Sequence, residues 1–160
     1  MEFYDLNLIL AEETKVTVKF NHDVDFFGFY FAENLSYIPK NHSVKVPFFM
    51  VDFLLENEHC ILVDDFVEEN TKNNLMAKPS LVNLSENYFN FYYFGIIISK
   101  YLNIKDFLFE VFCERTSDFC NELFTDKLTD DNYLLMDINE KRIMFFSAFI
   151  LEKYRRFLRL

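Results

Sequence analysis

The chain has 160 residues and a formal net charge of −10, with 51% hydrophobic and 19% aromatic residues. Its two glycines exclude the glycine-rich phosphate loops of P-loop and dinucleotide-binding enzymes, and its acidic body argues against autonomous DNA binding. A single small unit has limited interior volume, and each buried Phe removes roughly 150–250 Å² of surface from water. We therefore expect some of the aromatic surface to contact another chain. The alternative explanation of this composition is a codon bias that favours Asn, Phe, Ile and Lys.

The first 63 residues predict a small α/β module. Asp5 is a candidate N-cap, and Val16, Val18 and Phe20 alternate as in a half-buried strand. Pro47 stands where a helix can begin, because its missing N–H would be unsatisfied in a first turn anyway. The expected elements are one or two helical turns over 5–13, a strand over 15–20, a strand-and-loop region over 21–41, a strand over 43–46, a helix over 48–57 and a strand over 60–63.

Residues 64–160 predict a helical bundle, so the fold class expected for the whole chain is mainly α with a small N-terminal α/β module. Asp64 is expected to cap a helix over 65–75, and Pro79 to end it. A single helix is then predicted over 81–102, because apolar residues recur at steps of three and four: Leu81, Leu84, Tyr88, Phe91, Gly95, Ile98 and Leu102. A second apolar set covers the other sides of this helix, and one side is therefore assigned to a partner chain.

Two further helices complete the predicted bundle. Asn103 with Asp106 resembles a capping box that opens a helix over 103–127, and a polar loop is expected over 125–132. Asp137 and Glu140 form another cap pair, and the last helix is predicted over 138–158. Its apolar residues spread beyond one face, which again suggests more exposed apolar surface than a monomer tolerates.

Residues 141–160 carry six basic residues against one acid, Glu152, so the +5 of this segment leaves −15 for residues 1–140. The basic end is able to contact an acidic partner or nucleic acid held by a larger assembly. The simpler interpretation is that cations in a final helical turn complement the helix macrodipole.

The candidate catalytic and metal-binding groups have ordinary structural explanations. Cys113 and Cys120 lie on one helical face but lack zinc spacing, and adjacent His59 and Cys60 would point to opposite sides of a strand. No nucleophile, base and oxyanion site come together, so we expect a protein that is not an enzyme and has no cofactor or metal. We also expect no signal peptide and no membrane span, hence a reducing, soluble compartment.

Several segments, taken in order, resemble the Psf-three subunit of the GINS complex. Tyr4-Asp-Leu-Asn-Leu-Ile-Leu-Ala-Glu-Glu13 is similar to the N-terminal stretch of that family, and residues 15–20 match its following strand. Asn41-His-Ser-Val-Lys-Val-Pro-Phe-Phe-Met50 resembles its proline-containing segment, with Phe where the family has Trp. Residues 84–95 look like its aromatic helix with a terminal Gly, and residues 134–157 are compatible with its last helix. The sequence stops at Leu160, so we expect a divergent member without the usual polar C-terminal tail.

The resemblance implies a heterotetramer of four related subunits in the nucleus. It implies a scaffold role in DNA replication within the CMG helicase, where the three other GINS subunits are direct partners and the MCM ring and the Cdc-forty-five protein are reached through the assembled complex. A module at 1–63 would be joined to a helical domain at 64–160 that forms the interface. The alternative hypothesis is a soluble carrier with an aromatic-lined cavity for an apolar ligand.

The helices over 81–102 and 138–158 are predicted to form the partner interface, because each has apolar residues off its main seam. The best candidates for partner contacts lie off the main seams: Phe94, Ile97, Tyr101, Phe145 and Phe149. Tyr88 and Gly95, on the seam of the helix over 81–102, are also expected to contact a partner. The basic end of the last helix offers the possible polar contacts: Arg155, Arg156 and Arg159.

Overall fold

A computed structural model describes residues 5–25, 37–63 and 65–158. The chain divides into two compact units, Met1–Phe66 and Val67–Leu160. The described residues are mainly helical, and their small antiparallel sheets lie in the first unit, so the predicted fold class is confirmed. The described elements of the first unit are α1 (Leu6–Glu12), β1 (Lys15–Phe20), β2 (Val24–Asp25), β3 (Tyr37–Ile38), β4 (Ser43–Pro47), α2 (Phe48–Glu56) and β5 (Cys60–Leu62).

The sheet of the first unit has β1 at its centre, with β4 and β5 antiparallel on either side. Val18 lies opposite both Val44 and Leu62 and is fully buried. The alternation predicted for this strand is confirmed, because Val16, Val18 and Phe20 are buried while the residues between them are not. A second pair, β2 with β3, accounts for the described part of the segment predicted as strand and loop; Gly28 and its neighbours lie outside the described residues.

The helices of the first unit begin where the sequence indicates. The carboxylate of Asp5 accepts a hydrogen bond from the backbone N–H of Asn7 at 3.0 Å, which caps α1. Pro47 precedes α2 directly, with extended backbone angles of φ −59° and ψ 139°. Because α2 buries Phe48 and Val51 and leaves Phe49 and Phe53 exposed, it packs along one side only.

The second unit contains four longer helices and one short one among its described residues. They are α3 (Glu69–Ala77), α4 (Phe91–Ile98), α5 (Lys105–Phe124), α6 (Asp130–Leu135) and α7 (Ile138–Leu158), with 3₁₀ turns at Pro79–Leu81 and Leu84–Glu86. Phe119, Met136 and Met144 form a fully buried cluster where α5 meets the end of α6 and the start of α7.

The single helix predicted over 81–102 is wrong, because only its second half, α4, is α-helical. The side chain of Asn83 accepts from the backbone N–H of Ser85 at 3.1 Å, a local bond that competes with a continuous helix. The first backbone N–H of α4, that of Phe91, donates instead to the distant Asp137 carboxylate at 2.9 Å. A contact across 46 residues therefore sets the start of α4, and periodicity within the segment does not reveal it.

Three other boundaries differ from the prediction. The helix expected over 65–75 starts at Glu69, and its expected cap, Asp64, lies outside the described residues. α5 begins at Lys105 after Ile104, so Asn103 does not cap it. Part of the loop expected over 125–132 belongs to α6, where Thr129 and Asn132 form a capping box. A short polar segment such as this one is compatible with either a loop or a short capped helix, because six helical residues are too few to show a helical periodicity of apolar side chains.

Candidate partner-binding surface

One side of α7 exposes a continuous set of large apolar side chains. Helical geometry places residues three and four apart on the same face, and the apolar residues of α7 follow this spacing past its midpoint. Each member of the set leaves between 53% and 74% of its surface exposed. We call this the aromatic face of α7, formed by Phe145, Phe146, Phe149, Ile150, Tyr154 and Phe157. Exposed apolar patches of this kind on a small chain usually mark interaction sites.

A groove runs beside this face between three helices, with a volume of about 640 Å³. Its lining is almost wholly apolar, and Ile96, Phe109 and Phe146 stand at its edges with more than 60% of each side chain exposed. The residues lining the α4–α5–α7 groove are Tyr92, Tyr93, Ile96, Leu108, Phe109, Phe112, Asn139, Arg142, Ile143 and Phe146.

A second groove shares Phe146 and Arg142 with the first and is also lined by Phe145, whose ring meets that of Phe146 edge to face at 5.8 Å between centroids. This α6–α7 groove has a volume of about 650 Å³ and includes Tyr133 and Leu134 from α6. Phe146 therefore contributes to the lining of both grooves.

Cations border the aromatic face. Arg142 donates a long hydrogen bond of 3.5 Å to the Tyr93 hydroxyl, and the Lys153 ammonium lies 5.3 Å from the centre of the Phe149 ring. Among the described residues, no carboxylate forms an ion pair with Lys141, Arg142 or Lys153. An acidic chain therefore presents a locally cationic surface along α7.

A buried ion pair fixes α7 against α5. Arg115 and Glu140 are both fully buried, and the guanidinium donates to the two carboxylate oxygens from Nε at 2.7 Å and from Nη2 at 3.0 Å. The remaining donors of Arg115 reach the backbone carbonyls of Pro79, Val82 and Leu135, so all five N–H groups are used. The bond to Val82 is 2.8 Å, as is the bond to Leu135. This arrangement ties the 3₁₀ turn, α5, α6 and α7 together.

Tyr92 and Asp137 complete this buried network. The Tyr92 hydroxyl donates to Glu140 at 2.7 Å, and the backbone N–H of Asp137 donates to Glu140 at 2.9 Å. Burial, together with the neighbouring Glu140 carboxylate, raises the pKa of Tyr92 far above its usual range. Burial also raises the pKa of Asp137, while the hydrogen bond from the backbone of Asn139 opposes that shift. Asp137 and Glu140 thus form the predicted cap pair of α7, which the structure confirms.

Comparison with known proteins identifies a relative. No protein-family model matches the chain. The chain is 28% identical, over 155 aligned residues, to a curated protein of Dictyostelium discoideum described as "Probable DNA replication complex GINS protein PSF3". The chain is similar to PSF3 over most of its length. This finding confirms the resemblance seen in the sequence. The alignment covers 92% of the chain but only 57% of the Dictyostelium protein.

The structure places the predicted contact residues in two groups. Phe94 is fully buried and Gly95 is buried, so both lie inside the helical unit; Tyr88 is half-buried and packs on Phe94 with ring centroids 4.6 Å apart. Ile97 and Tyr101 are half-buried. Phe94 and Gly95 therefore offer almost no surface for direct contact with a partner, whereas Tyr88, Ile97 and Tyr101 offer part of theirs.

Phe145 and Phe149, by contrast, are 68% and 53% exposed and belong to the aromatic face. Of the polar candidates, Arg155 pairs with Asp126 at 2.9 Å on the surface, and Arg156 pairs with Glu152 one turn away. Arg159 lies outside the described residues.

Sequence reasoning missed Arg115 and the edges of the α4–α5–α7 groove. Arg115 lies four residues from both Val111 and Phe119, in the buried stripe of α5, and a charged residue inside an apolar stripe is a recognisable signal for a buried ion pair. Ile96 and Phe109 gave no such signal, because an apolar residue beside other apolar residues in a helix can face either the core or a partner.

The other candidate groups have ordinary surroundings. Burial raises the pKa of the Cys60 thiol to about 11, which makes it a poor nucleophile, whereas Cys113 is exposed. Within the described ranges, no group of His, Cys, Asp and Glu is arranged to hold a metal ion. Across those same ranges, every helix is too short or too polar to cross a bilayer.

Proposed function

We propose that this chain is a non-catalytic scaffold subunit of the heterotetrameric GINS complex, acting in DNA replication initiation and fork progression as part of the CMG helicase in the nucleus. The observation that carries the proposal is the similarity to PSF3 over 92% of the chain. Its direct partners are the three other GINS subunits, and it reaches the MCM ring and the Cdc-forty-five protein through the assembled complex.

The surface of the helical unit supports a role in assembly. The aromatic face of α7 exposes six large apolar side chains next to two apolar grooves. Burying such surface is the dominant favourable term in stable association, at about 25 cal/mol per Å² before the costs of ordering are subtracted. We therefore propose that residues 64–160 form the inter-subunit interface and that residues 1–63 form a separate small module. Phe145 and Phe149 are the proposed direct contacts.

The residues in and beside α4 are proposed to support the interface indirectly, through the packing of this helix. Ile97 in α4 and Tyr101 just after it are half-buried, while Phe94 and Gly95 are buried and Tyr88 packs on Phe94. Arg155 and Arg156 are proposed polar contacts at the end of α7, because their present carboxylate partners are exposed and are easily exchanged.

The chemistry of the buried network supports a non-catalytic role. The Glu140 carboxylate receives two hydrogen bonds at each oxygen, from Arg115, Tyr92 and the Asp137 backbone. A carboxylate whose oxygens are all engaged in this way inside a packed core has no access to a substrate. The network therefore serves as a structural clamp.

A soluble carrier is the less favoured function. Ligand sites of carriers enclose most of the surface of a small molecule. The two grooves beside α7 instead lie open to solvent, and their edges are exposed side chains such as Ile96 and Phe109. This geometry fits a protein surface better than a small apolar ligand.

Co-expression tests the proposal. The chain is produced alone and together with the three other GINS subunits of the same organism, and the products are compared by size-exclusion chromatography with light scattering. We expect self-associated or insoluble material from the lone chain and a single 1:1:1:1 complex on co-expression. A monodisperse, cooperatively folded monomer that fails to bind the other subunits would contradict the proposal.

A pair of matched variants locates the interface. Phe149→Glu places a charge on the aromatic face, whereas Phe89→Glu places the same charge on a residue that is 73% exposed and lies outside the face and both grooves. We expect Phe149→Glu to abolish co-purification and Phe89→Glu to leave its yield unchanged. Equal yields for the two variants would remove the aromatic face from the interface.

A further inference from the structure

The α4–α5–α7 groove combines an apolar floor with one cation at its rim. We propose that this groove receives an amphipathic α-helix of a partner subunit, whose apolar stripe covers Ile96, Phe109 and Phe146 and whose carboxylate faces Arg142. The proposal rests on the proposed function, since it names the chemistry of a partner segment in the assembly.

Unpaired charge supports an acidic partner. Arg142 is exposed and forms no ion pair with a described carboxylate, and the same holds for Lys141 beside it and for Lys153, about three turns further along α7. These cations lie in a chain of net charge −10, so the sign of the charge along α7 is opposite to that of the chain as a whole. A carboxylate on the incoming segment complements Arg142, whereas a second copy of α7 laid against the first would place two cationic surfaces together.

The polar groups of the groove favour a helix over an extended peptide. Among the described lining residues, side-chain polar atoms come from Tyr92, Tyr93, Asn139 and Arg142 alone, and the Tyr92 hydroxyl already donates to Glu140. An extended segment would bury backbone N–H and C=O groups there with few partners. A helix satisfies its own backbone and presents only side chains.

The dimensions agree with this occupant. The groove of about 640 Å³ is bordered by exposed side chains from three helices: Ile96 of α4, Phe109 of α5 and Phe146 of α7. A docked helix presents apolar side chains at positions i, i+3 or i+4, and i+7, and a groove open to solvent between three helices is able to receive them.

Photo-crosslinking identifies the segment that enters the groove. The photoreactive residue p-benzoylphenylalanine replaces Ile96 or Phe109 in the full chain, which is co-expressed with the three other GINS subunits. The same residue at Met76, an exposed apolar position on α3, is the control. We expect positions 96 and 109 to crosslink to one helical segment of another subunit, with apolar residues at helical spacing and an Asp or Glu beside them. Position 76 should give no such product.

Variants then test the energetics of the groove. Ile96→Glu is expected to weaken assembly by about 30-fold or more, as for loss of a central apolar anchor. Arg142→Ala is expected to weaken it about two- to fivefold and to reduce its salt dependence, while Arg142→Lys retains affinity. Arg142→Glu should be rescued by changing the crosslinked partner carboxylate to Arg. Far-UV circular dichroism of each variant complex confirms that the helices are intact.

The outcomes separate the two proposals. If the wild-type chain does not assemble with the other subunits, the proposed function fails and the groove proposal fails with it. If the wild type assembles but positions 96 and 109 crosslink to a second copy, to a basic or extended segment, or to nothing, the groove proposal alone is overturned. Wild-type affinity in both Ile96→Glu and Arg142→Glu would overturn it equally.

Discussion

Arg115 of α5 and Glu140 of α7 form a bidentate ion pair in which neither side chain has exposed surface. Taking two charges out of water costs several kcal/mol for each ion, and the pair is tolerated only because every donor and acceptor is used. The pair also holds Arg115 at 5.2 Å from the ring centre of Phe119, in the core cluster of the second unit. It therefore fixes the orientation of α7, and with it the direction in which the aromatic face points.

Breaking this pair should destabilise the fold strongly. We expect Arg115→Met to lower the free energy of unfolding by about 3–5 kcal/mol, because the buried Glu140 carboxyl group would lose its cationic partner. The measurement is urea unfolding followed by far-UV circular dichroism, at a low micromolar chain concentration that limits the self-association expected of the lone chain by mass action.

The double variant Arg115→Met with Glu140→Leu is the control for this reasoning. It should be less destabilised than the sum of the two single variants, because no buried charge is left alone. It should still be less stable than wild type, since the carbonyls of Pro79, Val82 and Leu135 lose their donor. Additive single effects would show that the two residues are not coupled.

Tyr92 should make stability depend on alkaline pH. Its pKa is raised in the folded chain, so above about pH 10 the unfolded state loses a phenolic proton that the folded state keeps. The unfolded state then binds fewer protons, and the free energy of unfolding falls as pH rises. We expect Tyr92→Phe to remove part of this slope and to cost about 1.5–3 kcal/mol at neutral pH through the lost hydrogen bond to Glu140.

Urea titrations of wild type and Tyr92→Phe between pH 8 and pH 11 measure how the free energy of unfolding of each depends on pH. The difference between the two slopes reports on Tyr92, because the other tyrosines contribute equally to both. Identical slopes would mean that Tyr92 ionises as easily in the folded state as in the unfolded one. In that case the hydroxyl would not be held by Glu140.

Much of the fold follows from local sequence patterns. The strand around Val18 was predictable because alternation with a period of two is specific to a half-buried strand. The start of α7 was predictable because Asp137 and Glu140 have the spacing of a cap pair. Both signals lie within a few residues of the element that they specify.

The rest depends on contacts between distant segments. The start of α4 depends on Asp137, 46 residues away, and the buried position of Arg115 depends on Glu140, 25 residues away. The candidate partner-binding surface likewise depends partly on local sequence and partly on long-range packing. In the sequence, Phe94 and Phe149 are equally good candidates for a partner contact, because each lies in an apolar stretch of a helix. Phe94 is buried and Phe149 is exposed because of how the helices pack, which the local sequence does not show.

Those two phenylalanines should respond differently to the same substitution. Phe94→Glu puts a carboxylate into the core and should prevent folding, since even truncation of a buried Phe costs about 3–5 kcal/mol. Phe149→Glu should leave the helical content unchanged and act only on association. Circular dichroism and co-purification, measured on the same preparations, separate loss of fold from loss of binding. Normal folding of Phe94→Glu would contradict the burial of this ring.

The Asp137 carboxylate should stabilise two helices at once. One of its oxygens accepts from the backbone N–H of Phe91 at 2.9 Å, and the other accepts from the backbone N–H of Asn139 at 2.9 Å, so it caps α4 across the chain and α7 locally. We expect Asp137→Ala to cost about 1–3 kcal/mol, since a buried donor at Phe91 and the N-cap of α7 both lose their acceptor.

Amide hydrogen exchange gives the more specific readout for Asp137→Ala. Exchange should accelerate in the first turns of both α4 and α7 while the middle of α5 keeps its protection, because α5 begins at Lys105 without help from Asp137. Thr125→Ala, which removes a hydroxyl bonded only to the end of α5, is the matched control and should leave both first turns unchanged. Faster exchange in α7 alone would show that the start of α4 is fixed by its own sequence, contrary to the long-range cap.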